Sequence, residues 1–292
     1  MAARNANIEI TQKFIDAIQA GIDGKWVRPW TCMGGASGLP VSLSTGKAYR
    51  GINVWILLME AMSKGYSDNL WGTYNQWKEK GAQVRKGEKS TMVVLWKPVT
   101  KNDTQGEENT FMLMRGFNVF NVAQVEGYEM PATETVESNN ERIAHVEAFA
   151  QESGADIRHG GDRAFYAPSH DFIQMPTLEQ FNDSEAYYGT LLHEMVHWTG
   201  HKSRLDRILN TSRFGDEAYA FEELVAELGS AFLMAQFGIT DEPRDDHAKY
   251  LKSWLKVLQN DTKAIFTAAS QAQKAVDFIT GFETEKEVAE AA

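Results

Sequence analysis

The stretch Thr190-Leu-Leu-His-Glu-Met-Val-His-Trp-Thr-Gly-His201 sets two histidines, His193 and His197, four residues apart around a glutamate, Glu194. It continues from Tyr187-Tyr-Gly189 with no proline and reads as the interior of a helix. Residues four apart on an α-helix differ by about 40° of rotation and one turn of rise, so both imidazoles reach a single cation. Glu194 then lies beside that cation, where a carboxylate takes a proton from activated water and hands it to a leaving amine. The pattern predicts a site for Zn2+ or another divalent cation, with Glu194 as the proton-transferring group of peptide hydrolysis. The competing reading is a surface helix that carries these residues without a metal.

A third protein ligand has two candidates. His201 is nearer in sequence, but in the metzincin pattern the third histidine falls six residues after the second, a position held here by Ser203. His201 is therefore expected to close the helix. The other candidate lies in Glu223-Leu-Val-Ala-Glu227, where two carboxylates one turn apart face the same way. Glu223 completes a His2Glu set of the gluzincin kind, and Glu227 accepts the free N–H of a ligating imidazole. Glu222, Glu223 and Glu227 crowd an otherwise apolar helix, which is costly at a buried face unless a cation neutralises them. A solvated acidic edge is the plainer account. The segment 171–176 before the metal helix is a candidate edge strand for an extended peptide, or ordinary sheet. Tyr187, Tyr188 and Tyr219 are read as core.

Outward from this helix, the second half reads as helix 140–152, strand-like segments 163–167 and 171–175, the long helix ending at Gly200, and helices 217–237, 247–260 and 262–279. A small sheet followed by helices suits a zincin-type domain. The first half reads as an amphipathic helix over 8–22, with Ile10, Phe14, Ile18 and Ile22 on one stripe, and a Gly/Ser/Pro-rich loop over 33–40. Helices over 53–63 and 70–79 follow, then two strands, 90–97 and 110–117, around a polar turn containing Asp103 and Gly106. The fold class is α+β.

The net charge of −11 is unevenly placed: residues 1–130 carry 15 basic and 12 acidic groups, whereas 131–292 carry 14 and 28. Six of the eight tryptophans also lie in the first half. With the polar stretch Pro131-Ala-Thr-Glu-Thr-Val-Glu-Ser-Asn-Asn140, this predicts independently built units at 1–130 and 143–292, joined by a linker over 131–142. A composition 43% hydrophobic and 24% charged excludes the disordered and coiled-coil classes. The longest apolar runs are far short of a membrane span, so no membrane partner is expected. The start MAARNANIEITQKF lacks the apolar run of an export signal, and the mature chain is expected to begin at Met1. One cysteine, Cys32, forms no internal disulfide, and a cytoplasmic location is the expectation.

The chain resembles the ArdC-type antirestriction proteins of conjugative plasmids over both halves. In the first half the likeness rests on Thr45-Gly-Lys-Ala-Tyr-Arg-Gly-Ile-Asn53, Trp71-Gly-Thr-Tyr-Asn-Gln76 and Gly81-Ala-Gln-Val-Arg-Lys-Gly-Glu-Lys89. In the second it rests on the 190–201 stretch, Arg204-Leu-Asp-Arg207 and Tyr219-Ala-Phe-Glu-Glu-Leu-Val-Ala-Glu227. The resemblance implies an N-terminal single-stranded-DNA-binding domain, a zincin-like metallopeptidase domain, and protection of incoming plasmid DNA from host restriction.

Read from the residues themselves, Lys47, Tyr49, Arg50, Asn53, Trp71, Tyr74, Gln76, Arg85, Lys86 and Lys89 supply the cations, amides and aromatic faces that hold a single strand. A Trp-rich core with a solvated basic turn accounts for the same residues. Three functions remain open: a DNA-binding peptidase with an unidentified protein substrate; a strand-coating or enzyme-blocking protein with a structural metal; and an acidic decoy of DNA, although charge spread over helices ordinarily serves solubility.

Overall fold

Ile10, Phe14 and Ile18 recur at helical spacing and are all buried, which is why α1 (Ala3–Ala20) lies with one stripe against the core. The structure is a computed structural model that describes residues 3–20, 38–102, 108–130, 139–207, 217–239 and 248–281. Ile22 and the first five residues of the Gly/Ser/Pro-rich loop lie outside these. After β1 (Val41–Ser42) comes α2 (Ile52–Lys64), which is apolar on most of its circumference and correspondingly buried; Gly65 closes it in the left-handed conformation. The helix expected over 70–79 is shorter. Leu70–Gly72 forms a strand, β2, and Thr73 adopts extended backbone. A reciprocal capping box between Thr73 and Gln76 starts α3 only at Tyr74 (Tyr74–Glu79). β3 (Gln83–Val84) pairs with β6 (Val125–Glu126). Between them a long antiparallel pair, β4 (Thr91–Asn102) and β5 (Glu108–Asn121), extends further than expected. Asp103 and Gly106 of its turn lie outside the described residues. The main sheet has the order β1-β2-β5-β4, which leaves β4 at an edge.

The second half opens with α4 (Asn139–Glu152), so residues 139–142 of the expected linker are helical, and residues 131–138 are outside the described set. A three-stranded sheet follows with the order β7-β9-β8: β7 (Asp156–His159) is parallel and β8 (Phe165–Ala167) antiparallel to β9 (Phe172–Met175). Asp-Ile-Arg-His in β7 has one apolar residue and so gives no strand signal. Asp183 caps α5 (Ser184–Thr199) by accepting from the Ala186 N–H at 2.7 Å. Three helices complete the fold: α6 (Glu217–Phe237), α7 (Ala248–Asn260) and α8 (Ala264–Thr280). No described helix is long and apolar enough to cross a membrane.

The apolar core crosses residue 130. Ile10, Phe14, Trp55, Val94 and Met114 from the first half share one buried cluster with Leu192, Val196, Phe232 and Ala268 from the second. Trp55 stacks on Phe232 with centroids 5.0 Å apart. Polar ties follow the same seam: Arg50 pairs with Asp277 at 2.6 Å, the Gly51 N–H donates to Gln273 Oε1, and the Thr11 hydroxyl donates to the Thr262 carbonyl.

α5 and α6 approach closely at Gly229. A Cβ on Gly229 would lie 2.8 and 2.9 Å from the two methyl groups of Val196, and a β-branched side chain on a helix has few rotamers into which to retreat. Gly229→Ala is therefore expected to destabilise the protein by about 1–3 kcal/mol in chemical denaturation. Adding Val196→Ala should recover part of that loss; no recovery would place the strain elsewhere.

Candidate metal centre

His193 and His197 stand one turn apart on α5, and α6 brings Glu223 across from both. Glu223 Oε2 is 3.6 Å from His193 Nε2, and its Oε1 is 3.5 Å from His197 Nε2. Among the described residues, His193, His197 and Glu223 form the one group of three donors able to hold a metal, with ligand atoms all within 4.8 Å of one another. A tetrahedral shell with metal–ligand bonds of about 2.0–2.2 Å has edges of about 3.4 Å, close to the two imidazole–carboxylate separations, so the donor set suits a divalent cation. Glu223 is only 6% exposed. Burial raises its pKa, but the two imidazoles outweigh that and hold the carboxyl far below the usual carboxylate range.

Both imidazoles turn their other nitrogen to a further carboxylate of α6. His193 Nδ1 is 3.7 Å from Glu227 Oε2, while His197 Nδ1 is 3.3 Å from Glu222 Oε1 and within hydrogen-bond reach. Arg207, in the loop after α5, holds Glu222 with a two-pronged contact of 2.9 Å to each oxygen, and also donates to Thr199 Oγ1 and the Val196 carbonyl. Burial works against the His197 cation, yet Glu222 and Glu223 push its pKa up to about 10 when only protein groups surround it. Burial likewise raises the Glu222 pKa, and His197 and Arg207 bring it below the ordinary value. Sequence reasoning singled out Glu227 as an imidazole's acceptor, counted Glu222 only among the crowded carboxylates, and gave Arg207 no role at the site. The available signal was a second acidic residue beside Glu223 on an apolar helix.

Glu194, next to His193, is 8% exposed. His201 follows the end of α5 and turns away from the cluster: its Nδ1 meets Ser203 Oγ at 2.8 Å. Tyr187 is buried and its hydroxyl contacts His159 Nε2 at 2.7 Å; Tyr188 is buried too, and burial raises both phenols, Tyr187 to about 12. The three-stranded sheet is locked to the far end of α5. Arg204 lies 4.0 Å over the Trp198 ring, donates to the Trp198 carbonyl and pairs with Asp171, which also accepts from the Tyr166 hydroxyl. Asp171 takes a left-handed φ of 53°, and the Arg204 guanidinium holds its carboxyl below the usual range despite partial burial.

The residues read as a DNA-binding mixture do not form one surface. Trp71 is fully buried among Leu57, Ala61, Val93 and Val119, so it has no face to offer a base. Asn53 uses its amide to bond both the N–H and the C=O of Val94 on β4, and Gln76 closes the capping box of α3. Tyr49 is half-buried against the core. Arg50 is paired with Asp277, and Arg85 is engaged by Glu88 and the carbonyls of Ala123 and Val125. Lys47, Lys86 and Lys89 are exposed, and so is Tyr74, whose hydroxyl accepts from Gln83. Trp96 and Met112, exposed on the β4–β5 pair, were not anticipated.

Two family models match successive parts of the chain. Residues 4–120 match the N-terminal domain of anti-restriction factor ArdC, and residues 144–271 match a zincin-like metallopeptidase domain. Protein y4eC of Sinorhizobium fredii is 45% identical over 278 residues, which cover 92% of this chain and 90% of that protein. A DNA primase TraC of Escherichia coli is 39% identical, with 94% of this chain matching 27% of the primase. Two crystal structures of the antirestriction protein ArdC from the R388 plasmid superpose on this fold. The metal-free form gives a TM-score of 0.76 at 41% identity, covering 93% of this chain and 95% of that one. The Mn(II)-bound form gives 0.78 at 38%, covering 94% and 97%. Fold and site thus define a protein with a zincin-like domain whose residues can hold a divalent metal. The chain belongs to the ArdC antirestriction family.

The burial of Trp71 separates it from Tyr74 in a measurable way. Trp71→Ala is expected to cost about 3–5 kcal/mol of stability, and Tyr74→Ala less than about 1 kcal/mol, in urea denaturation of the full chain. Equal losses would contradict the assignment of Trp71 to the core.

Proposed function

We propose that this protein is a metal-dependent peptidase that also binds single-stranded DNA, acts in the cytoplasm, and protects incoming plasmid DNA from host restriction by acting on a protein substrate. The observation that carries the catalytic part is the convergence of His193 Nε2, His197 Nε2 and both oxygens of Glu223, with Glu194 adjoining on the same helix. Zn2+ suits this nitrogen and carboxylate set, and Mn2+ is held by the related ArdC structure. A divalent cation bound there supplies Lewis acidity to a peptide carbonyl and to water. Glu194 takes the proton from water on its carboxylate and delivers it to the departing amine nitrogen. Glu222 and Glu227 orient the two imidazoles from behind.

Single-stranded DNA binding is supported by the family and by the exposed Lys47, Tyr74, Lys86 and Lys89, with Arg50 and Arg85 as secondary contacts from within their ion pairs. Tyr74→Ala is expected to weaken binding of an oligonucleotide by about 1–3 kcal/mol with the salt dependence unchanged. Each lysine removed should shift the slope of log affinity against log salt by about 0.7. Fluorescence anisotropy on the full chain measures both, and a Tyr74→Ala variant that binds like wild type would remove this ring from the interface.

The decisive experiment is cleavage of unfolded protein substrates by the purified full chain, with Zn2+ or Mn2+ and with or without single-stranded DNA. Glu194→Ala should abolish hydrolysis and retain the metal, Glu223→Ala should lose the metal, and His201→Ala should keep both. A folded Glu194→Ala variant that loses its metal would make Glu194 a ligand. Absence of cleavage by wild type under every condition would favour the strand-coating function with a structural metal.

A further inference from the structure

We propose that Arg207 is a positioning residue for the metal centre, acting through Glu222 to fix the ring of His197; this rests on the metal-site reading given above. The observations form a chain of contacts. Arg207 Nε and one terminal nitrogen each lie 2.9 Å from a Glu222 oxygen, so the carboxylate is gripped in the two-pronged geometry that fixes its plane as well as its position. The same oxygen that receives the terminal nitrogen, Oε1, lies 3.3 Å from His197 Nδ1. A carboxylate held this way keeps the proton on Nδ1, so that a bound metal would meet the Nε2 lone pair on the side of Glu223, the tautomer a metal ligand needs.

Arg207 is itself fixed to the helix it serves. Its other contacts are the Val196 carbonyl at 2.8 Å and Thr199 Oγ1 at 3.1 Å, both on α5, and its own N–H donates to the Gly200 carbonyl. The guanidinium side chain is 7% exposed and Glu222 14% exposed, so the pair is shielded from the solvent screening that weakens surface ion pairs. Arg207 thereby spans α5 and α6 from behind His197, and the Arg204-Leu-Asp-Arg207 motif acquires two separate tasks. Arg204 ties the small sheet to the end of α5 through Asp171, and Arg207 sets a ligand. Removing Arg207 leaves Glu222 buried with one partner and free to rotate; lysine restores a charge but not the fork.

The test uses the full chain and Co2+ as probe, because its visible absorption reports the donor set directly. Wild type is expected to bind one Co2+ with the spectrum of a low-coordinate nitrogen and oxygen site. Arg207→Lys and Glu222→Gln should each weaken Co2+ binding by roughly tenfold to a hundredfold and alter the spectrum, and Arg207→Ala should do so at least as strongly if it folds. Arg204→Lys, a change in the same loop, should leave affinity and spectrum as in wild type even if it melts earlier. The proposal is overturned if Arg207→Lys and Glu222→Gln keep wild-type affinity and spectrum, or if Arg204→Lys matches their effect, which would make the loop merely structural. Failure of wild type itself to bind Co2+ would overturn the metal-centre reading instead, and the inference with it.

Discussion

The carboxylate of Glu223, set between two imidazoles one turn apart, is the interaction on which the rest of the molecule depends. It requires α5 and α6 to approach so closely that a methyl group on Gly229 would press into Val196. It also requires two buried carboxylates, Glu223 and Glu227, and the mostly shielded Glu222 to share one helix. Buried carboxylates persist only where opposite charge or hydrogen-bond donors meet them. Here Arg207 serves Glu222 and the imidazoles serve Glu223, in a group able to hold a divalent cation.

The helix bearing His193 and His197 was legible because its spacing is local: four residues fix the geometry wherever the helix goes. Glu223 was legible for a related reason, since an acidic pair one turn apart on an apolar helix is costly without a purpose. Glu222 and Arg207 were not, because their roles exist only once the loop after α5 folds back against α6. The same distinction governs the fold. Strongly apolar helices such as α2, expected over 53–63 and observed over Ile52–Lys64, were found close to their bounds, and α1 by its stripe but with its start five residues too late, whereas β7, held by pairing to a later strand and carrying one apolar residue, was invisible. Trp71 shows a third kind of failure. An aromatic ring beside lysines fits a nucleic-acid surface and a core equally well in sequence, and only its burial under α2 and the main sheet decides between them.

The expectation of two independently built units was drawn from charge and composition, and these report on surfaces. The interior follows a different partition. Trp55 on Phe232, the α1 stripe against the C-terminal helices, and the Arg50–Asp277 pair make α1, Arg50 and α2 part of the packing around the metal helices. The acidic and near-neutral halves therefore share one apolar core. A perturbation at the Thr45–Asn53 motif has a short packed route to α8, and through α8 to α5 and α6.

Asn53 also bears on how this protein meets copies of itself. β4 is an edge strand, and the outward N–H and C=O of Val94 are the groups on which a second β-strand would begin to pair. The Asn53 amide occupies both, at 2.8 and 2.7 Å, and four residues on, Pro98 has no N–H to offer. A long hairpin carrying exposed Trp96 and Met112 would otherwise be an open template for sheet extension. One amide side chain, lodged in the seam between helix and sheet, thus takes the place of a neighbouring strand at Val94 and interrupts the edge beside the exposed Trp96.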